Sequence, residues 1–121
     1  MIEVVYCIRR KAGLSHPEFV AHWEGVQAPI VMANLDVLRL AGYERTVLLA
    51  HAFGKRVERR GTMLAPFDGV ARLRWASEED MRHAFEGEEA LAVQRLLAQD
   101  EANFVDPTAS CRWVSRTVRH L

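Results

Sequence analysis

The chain lacks most of the features that would place it quickly. It has only two cysteines, Cys7 and Cys111, too few and too separated for a disulfide scaffold or a zinc cage. Both lie in apolar, strand-like stretches and read as buried free thiols. It has no net charge, since 16 Lys plus Arg balance 16 Asp plus Glu. The general attraction that draws proteins to nucleic acid is therefore missing, and no nucleic-acid partner is expected. No apolar run approaches the length of a membrane span. The opening segment Met1–Ile8 is short and carries Glu3, so it does not read as a signal peptide. A cytoplasmic protein with no membrane partner is expected. There is no Gly-rich phosphate loop and no Ser-His-Asp spacing, so no ATP, NAD or flavin is expected, and no other cofactor. None of the five histidines forms a helical pair with another ligand, so no metal is expected either.

What is present is one domain's worth of sequence over residues 1–121, half of it hydrophobic. Ile2–Ile8, rich in Val, Ile and Tyr, predicts a strand. Gly13 turns the chain. Ser15 is a good helix N-cap, and Glu18 completes a capping box. Pro17 is harmless in a first turn. Phe19, Trp23, Val26, Gln27 and Ile30 recur at helical spacing and predict the inward stripe. Pro29 removes one internal hydrogen bond, which predicts a kink near Gln27 and Ala28 before the helix resumes through Leu35. Leu40–Ala52 predicts a long second strand. Phe53–Pro66 has no period; with Gly54, Gly61, Lys55, Arg56, Arg59 and Arg60 it reads as a flexible basic loop. Gly69–Trp75 predicts a third strand. Ser77 caps a helix that Gly87 interrupts and that resumes over Glu88–Glu101. Ser110–His120 predicts the last strand.

The order strand, helix, strand, strand, helix, strand predicts an α+β fold: a four-stranded antiparallel sheet with two helices on one face. Alternation in the third strand assigns Gly69, Ala71, Leu73 and Trp75 to the helix side. The bare face is expected to mix Val4, Tyr6, Leu48 and Val70 with Glu44, Arg72 and Arg74. Such a face is too apolar for water, so a homodimer through the sheet faces is expected, with the arginines pairing to Glu44 or Glu3.

Several segments together resemble the EthD family. They are the run from Val4 to Ser15 (VVYCIRRKAGLS), Phe19, the pair His22-Trp23, the run Gln27-Ala28-Pro29-Ile30-Val31, the run Phe67-Asp68-Gly69-Val70-Ala71, and Asp100–Asp106 (DEANFVD). The resemblance spans nearly the whole chain; the last heptad and the Ala-Pro segment with its preceding Trp are its more specific parts. It implies a ferredoxin-like βαββαβ domain, a dimeric α+β barrel and a small-molecule site. It does not fix a reaction, because relatives by fold include cofactor-free monooxygenases, lactone isomerases and polyketide cyclases. Two departures stand out. The family commonly has His before Ala-Pro, where this chain has Gln27. It commonly has an acidic residue after Gly-Val-Ala, where this chain has Arg72, followed by Leu73 and Arg74.

The candidate site residues follow. His22, beside Trp23, and His51, at the end of the second strand, have a side chain suited to proton abstraction; the alternative for each is a surface histidine. His16, His83 and His120 read as solvated. Gln27 faces inward, and a buried amide needs partners, either a ligand or the backbone at the Pro29 kink. Trp23, Trp75, Phe85 and Tyr6 suit a flat aromatic pocket, or plain core. The Tyr6 and Tyr43 hydroxyls can hold a carbonyl or phenolate. Asp100, Asn103 and Asp106 gather at a helix end, as a capped corner or, for Asn103, as a ligand contact. Loop 53–66 is expected to act as a lid.

The expected function is a cofactor-independent enzyme acting on a small aromatic, quinone-like or lactone substrate. Its chemistry would be proton transfer, in isomerisation, cyclisation or oxygenation, with His22 or His51 as base and Tyr6, Trp23, Gln27, Trp75, Phe85 and Asn103 holding the substrate. The alternative is a non-catalytic small-molecule-binding dimer of the same fold.

Overall fold

A computed structural model describes residues 1–59 and 62–121. Strand β1 (Ile2–Ile8) leads into helix α1 (His16–His22), whose capping box is made: Ser15 accepts from the Glu18 N–H, and Glu18 accepts from the Ser15 N–H. The chain then widens into a π-helical stretch, Trp23–Gln27, and returns to helix as α2 (Ala28–Met32). Pro29 has no N–H to return to the turn before it, and the wider turn, closed by the Ala28 N–H on the Trp23 carbonyl, absorbs that loss. The kink therefore falls where the proline placed it. The helix ends at Met32 rather than running through Leu35, because Asn34 Nδ2 bonds back to the Ile30 carbonyl. The extra residue in the turn also rotates Val26 outward, so it leaves the inward stripe and is exposed.

Next come β2 (Gly42–Val47), the short helix α3 (Gly54–Val57), β3 (Gly69–Trp75), α4 (Glu78–Glu86), α5 (Glu88–Glu101) and β4 (Cys111–Ser115). The sheet is antiparallel in the order β2-β3-β1-β4. This is the ferredoxin-like α+β arrangement, with the helices on one face.

Strands β2 and β4 are shorter than their sequences suggest. Each stops where its neighbour stops. Val47 pairs with Gly69, the first residue of β3, and Ser115 pairs with Glu3 near the start of β1. A strand without a partner has nowhere to place its N–H and C=O groups. The expected loop 53–66 contains α3, and Arg9 holds its end through the Ala65 and Pro66 carbonyls. Arg60 and Gly61 lie outside the described residues.

Two packed clusters fill the space between helices and sheet. One joins Val4 and Trp75 to Val31, Leu38, Ala84, Val93 and Leu97. The other joins Ile8 and Ala71 to Phe19, Trp23, Phe104 and Val105. Each buried large side chain contributes about 1.5–3 kcal/mol.

The pairing of β1 corrects one expectation. Val4 lies opposite Leu73 and Tyr6 opposite Ala71, so both point to the helices. The bare face carries Glu3, Val5, Cys7, Val70, Arg72, Arg74, Glu44 and Thr46, with Trp113 opposite Val5. The expected pairing of the two arginines with Glu44 and Glu3 is present. Arg74 bonds Glu44 and reaches Glu3 at 3.5 Å, whereas Arg72 bonds Glu3 at 3.3 Å and Thr117 at 3.2 Å. Cys7 and Cys111, far apart in sequence, are direct cross-strand partners. Cys111 is exposed rather than buried, and burial together with the neighbouring Cys111 pushes the Cys7 thiol up.

His16 is not a solvated histidine. Its Nδ1 lies 2.8 Å from Asp68 Oδ1 and its Nε2 lies 3.0 Å from the Leu48 carbonyl. The buried Asp68 also accepts from the Arg10 backbone N–H and guanidinium, each at 2.8 Å. One carboxylate thus ties the ends of β1 and β2 and the start of α1 to the segment entering β3. Among the described residues no helix is long and apolar enough to cross a membrane.

Candidate active site

Between the helix layer and the sheet lies a cavity of about 70 Å³, measured as space open to the centre of a water molecule. By that measure ~10–15 Å³ holds one water. Its wall is mostly apolar and aromatic, with Trp23, Trp75, Tyr43, Phe85 and Phe104 among the lining side chains.

The tryptophans are held from behind. Trp75 donates its indole N–H to the Leu38 carbonyl at 2.7 Å and meets Phe85 at 5.9 Å between ring centroids. Trp23 packs on Phe19 at 5.4 Å, and the Arg45 guanidinium lies 5.3 Å from its ring centre. Trp23 can approach β3 only because position 69 is Gly. Tyr43, half-buried beside Leu73, has its hydroxyl pushed up by burial, against a smaller opposing pull from Arg45.

Besides the Tyr43 hydroxyl and Gln94, whose Nε2 donates to the Ala84 carbonyl at 2.9 Å, polar groups stand at two places on this wall. The first is Gln27. The π turn puts it on the same side of the helix as Trp23, and it is only 8% exposed. Its Oε1 is buried with no hydrogen-bond partner. Buried polar atoms are nearly always paired, so a lone acceptor on a cavity wall points to something that fills the cavity.

The second polar place joins Tyr6, Glu101 and Arg112. Tyr6 and Arg112 are cross-strand partners on β1 and β4, and the guanidinium lies 5.6 Å from the Tyr6 ring centre. Burial pushes the Tyr6 hydroxyl up, the adjacent Glu101 carboxylate adds to this, and Arg112 offsets part of it. Tyr6 therefore keeps its proton at neutral pH and acts as a donor. The same three side chains also line an outer groove with Ala98, Val105 and Pro107, and so stand between the cavity and that groove.

Of the expected site residues, Tyr6, Trp23, Gln27, Trp75 and Phe85 line this cavity. Three others do not. His22 Nε2 donates to Asp100 Oδ1 at 2.8 Å, with its ring 4.8 Å from that of Phe104. Asn103 Nδ2 donates to the same oxygen at 3.3 Å. His51 accepts the Phe53 N–H at 3.0 Å and lines a surface groove with His16 and Lys55. None of the described residues of loop 53–66 reaches the cavity wall, so the expected lid does not cover it. Sequence reasoning missed Glu101 and Arg112 as site residues. Glu101 stood inside the DEANFVD run, but only the β1–β4 register brings Arg112 to Tyr6. Among the described residues no three His, Cys, Asp or Glu side chains gather where a metal ion could be held.

Comparison with known proteins gives the same outline. The family model for the EthD domain matches residues 11–108. No curated protein sequence matches the chain. An EthD-family protein from Bacillus halodurans is 12% identical, with 98% of this chain and 99% of that one covered and a TM-score of 0.66. A dimeric ferredoxin-like protein from Thermobifida fusca is 11% identical, with 96% and 90% covered and a TM-score of 0.59. A Deinococcus radiodurans protein named for the antibiotic biosynthesis monooxygenases is 12% identical, with 100% and 96% covered and a TM-score of 0.56. At these identities the likeness is one of fold.

Proposed function

The chain belongs to the EthD family, and from that premise we propose that it is a cofactor-independent enzyme acting by proton transfer on a small, flat substrate of aromatic, quinone-like or lactone type. The observation that carries this is the unpartnered Gln27 Oε1 on the wall of an aromatic cavity. The slot between Trp23, Trp75 and Phe85 takes a flat ring and excludes water. Gln27 fixes the ring's orientation through a hydroxyl or N–H. Tyr6, protonated, donates to an oxygen on which negative charge develops.

Glu101 is the base in this reading. It lines the cavity beside Tyr6, whereas His22 reaches the cavity only through Phe104 and His51 faces a separate groove. Geometry ranks before pKa in choosing a base. Glu101 takes the proton from an acidic C–H or O–H of the substrate, and Tyr6 holds the resulting enolate or phenolate. The protein works as a homodimer through the bare sheet face, as the Thermobifida fusca neighbour's description as dimeric suggests.

A second reading, a non-catalytic binding dimer, is favoured by one feature. Gln27 stands where relatives commonly carry His, and an amide cannot serve as a base. The two readings separate in a turnover screen over hydroxyquinones, phenols and lactones, followed by absorbance and oxygen uptake. The enzyme reading expects turnover that falls at least a hundredfold in Glu101→Gln and survives in His22→Ala. Turnover lost in His22→Ala and retained in Glu101→Gln would reassign the base. Binding without turnover for every compound would leave the binding reading.

A further inference from the structure

Arg112 is exposed and, like Arg45 and Arg95, has no carboxylate partner among the described residues; what sets it apart is the place where it lies. Arg10, Arg72 and Arg74 each have a carboxylate within 4 Å. Among the described residues Arg112 has none, and it takes part in no hydrogen bond of its side chain. It lines the aromatic cavity, the outer groove shared with Tyr6 and Glu101, and a third hollow with Val4, Phe85 and Trp113. One uncommitted guanidinium thus stands where all three spaces meet.

The acid on that wall, Glu101, stands beside the Tyr6 hydroxyl and, among the described residues, forms no ion pair with Arg112. The donors of Arg112 remain available to a ligand. A guanidinium presents a planar fork of N–H groups that matches a carboxylate in two parallel hydrogen bonds. Elsewhere on the wall the requirement is the reverse. Gln27 Oε1 is a buried acceptor without a donor. The rest of the wall is mostly apolar, with five large aromatic side chains besides Tyr6: Trp23, Tyr43, Trp75, Phe85 and Phe104.

Building on the proposed reading of the cavity, we infer that the site selects a flat organic anion, with a hydroxyl or N–H donated to Gln27 and a carboxylate, or an equivalent anionic group, on Arg112. A neutral ring would leave Arg112 unused, and a ligand without an inward donor would leave Gln27 unpaired. Anionic character on the substrate also suits the proposed chemistry. A group already held at Arg112 fixes the ring while Glu101 removes a proton elsewhere on it.

The probes are 4-hydroxybenzoate and 4-hydroxybenzamide, which share a ring and a hydroxyl and differ in charge at the opposite end. Isothermal titration calorimetry measures both on the intact protein and on Arg112→Ala and Gln27→Leu, with circular dichroism confirming that each variant folds. The expected result is that the benzoate binds the parent at least tenfold more tightly than the amide. Arg112→Ala should remove that preference, and Gln27→Leu should weaken both probes by a similar factor. Equal affinity of the parent for the two probes would overturn the anion preference and leave the cavity reading standing. A preference that persists in Arg112→Ala would overturn the role of Arg112. Absence of binding by both probes would overturn the cavity reading and this inference with it.

Discussion

A Cβ placed on Gly69 would lie 2.3 Å from Cζ3 of Trp23 and 2.9 Å from the Thr46 carbonyl. No real Cβ sits so close to a ring and a backbone oxygen together. Gly69 is thus the residue that lets Trp23 lie against β3 and form one wall of the cavity. Gly69→Ala should destabilise the protein by about 1–3 kcal/mol, the usual cost of overpacking. Urea unfolding measures this, and the displaced ring should also shift the tryptophan fluorescence. Parental stability with unchanged fluorescence would show that a Cβ fits at position 69 without displacing the ring.

Asp68 predicts an acid limb of stability. Burial alone would raise its carboxyl, but the Arg10 backbone N–H, His16 and the Arg10 guanidinium together outweigh burial and hold it below the usual range. A carboxyl depressed in the folded state adds stability that is fully present above its unfolded pKa of ~3.9. That contribution is lost as pH falls through the lower, folded value. The parent should therefore lose stability as pH drops below about 4. Asp68→Asn should be less stable at pH 7 by about 1–3 kcal/mol and should show a flatter acid limb. Denaturant midpoints at several pH values test this, and parallel curves for the two proteins would count against it.

Glu3 distinguishes two arginines. It is 1% exposed, and its Oε2 has no hydrogen bond, only Arg74 Nε at 3.5 Å. Arg74 also holds Glu44, whereas Arg72 holds Glu3 from the other side. Arg74→Ala removes the partner of Glu44 and leaves the buried Glu3 with Arg72 alone, and should cost about 1.5–3 kcal/mol. Arg72→Ala, more exposed and leaving Glu3 with Arg74, should cost less. Both residues lie on the bare face, so sedimentation should give the parent at twice its 13.8 kDa and Arg74→Ala a weaker dimer. A monomeric parent at micromolar concentration would contradict the proposed interface.

The element order was readable because its signals are local. Ser15 with Glu18, Ser77 and Gly87 mark helix ends, and alternation in β3 assigned its faces correctly. The faces of β1 were not readable from its own residues. Val4, Val5, Tyr6 and Cys7 are apolar or nearly so on both sides, and only direct pairing of Tyr6 with Ala71 fixes which way they point. Strand ends failed for a related reason, since β2 and β4 stop where their partners stop. In the candidate site, Gln27 and Trp23 were legible as one helix stripe. Arg112 was not, because its approach to Tyr6 depends on the register of strands more than a hundred residues apart. His22 read as a base beside Trp23, but Asp100 draws it to the α5 side of Phe104.

The central claim is that small molecules enter the cavity between helices and sheet, and the three tryptophans report on it directly. Trp23 and Trp75 line that cavity, while Trp113 lies exposed, opposite Val5 on the other face. A proton–nitrogen spectrum recorded during titration with 4-hydroxybenzoate resolves their indole N–H groups. The account predicts that the Trp23 and Trp75 signals move with one binding curve while Trp113 stays in place, and that Gln27→Leu weakens the curve. Movement of Trp113 with Trp23 and Trp75 unmoved would contradict it, placing the ligand on the sheet face instead.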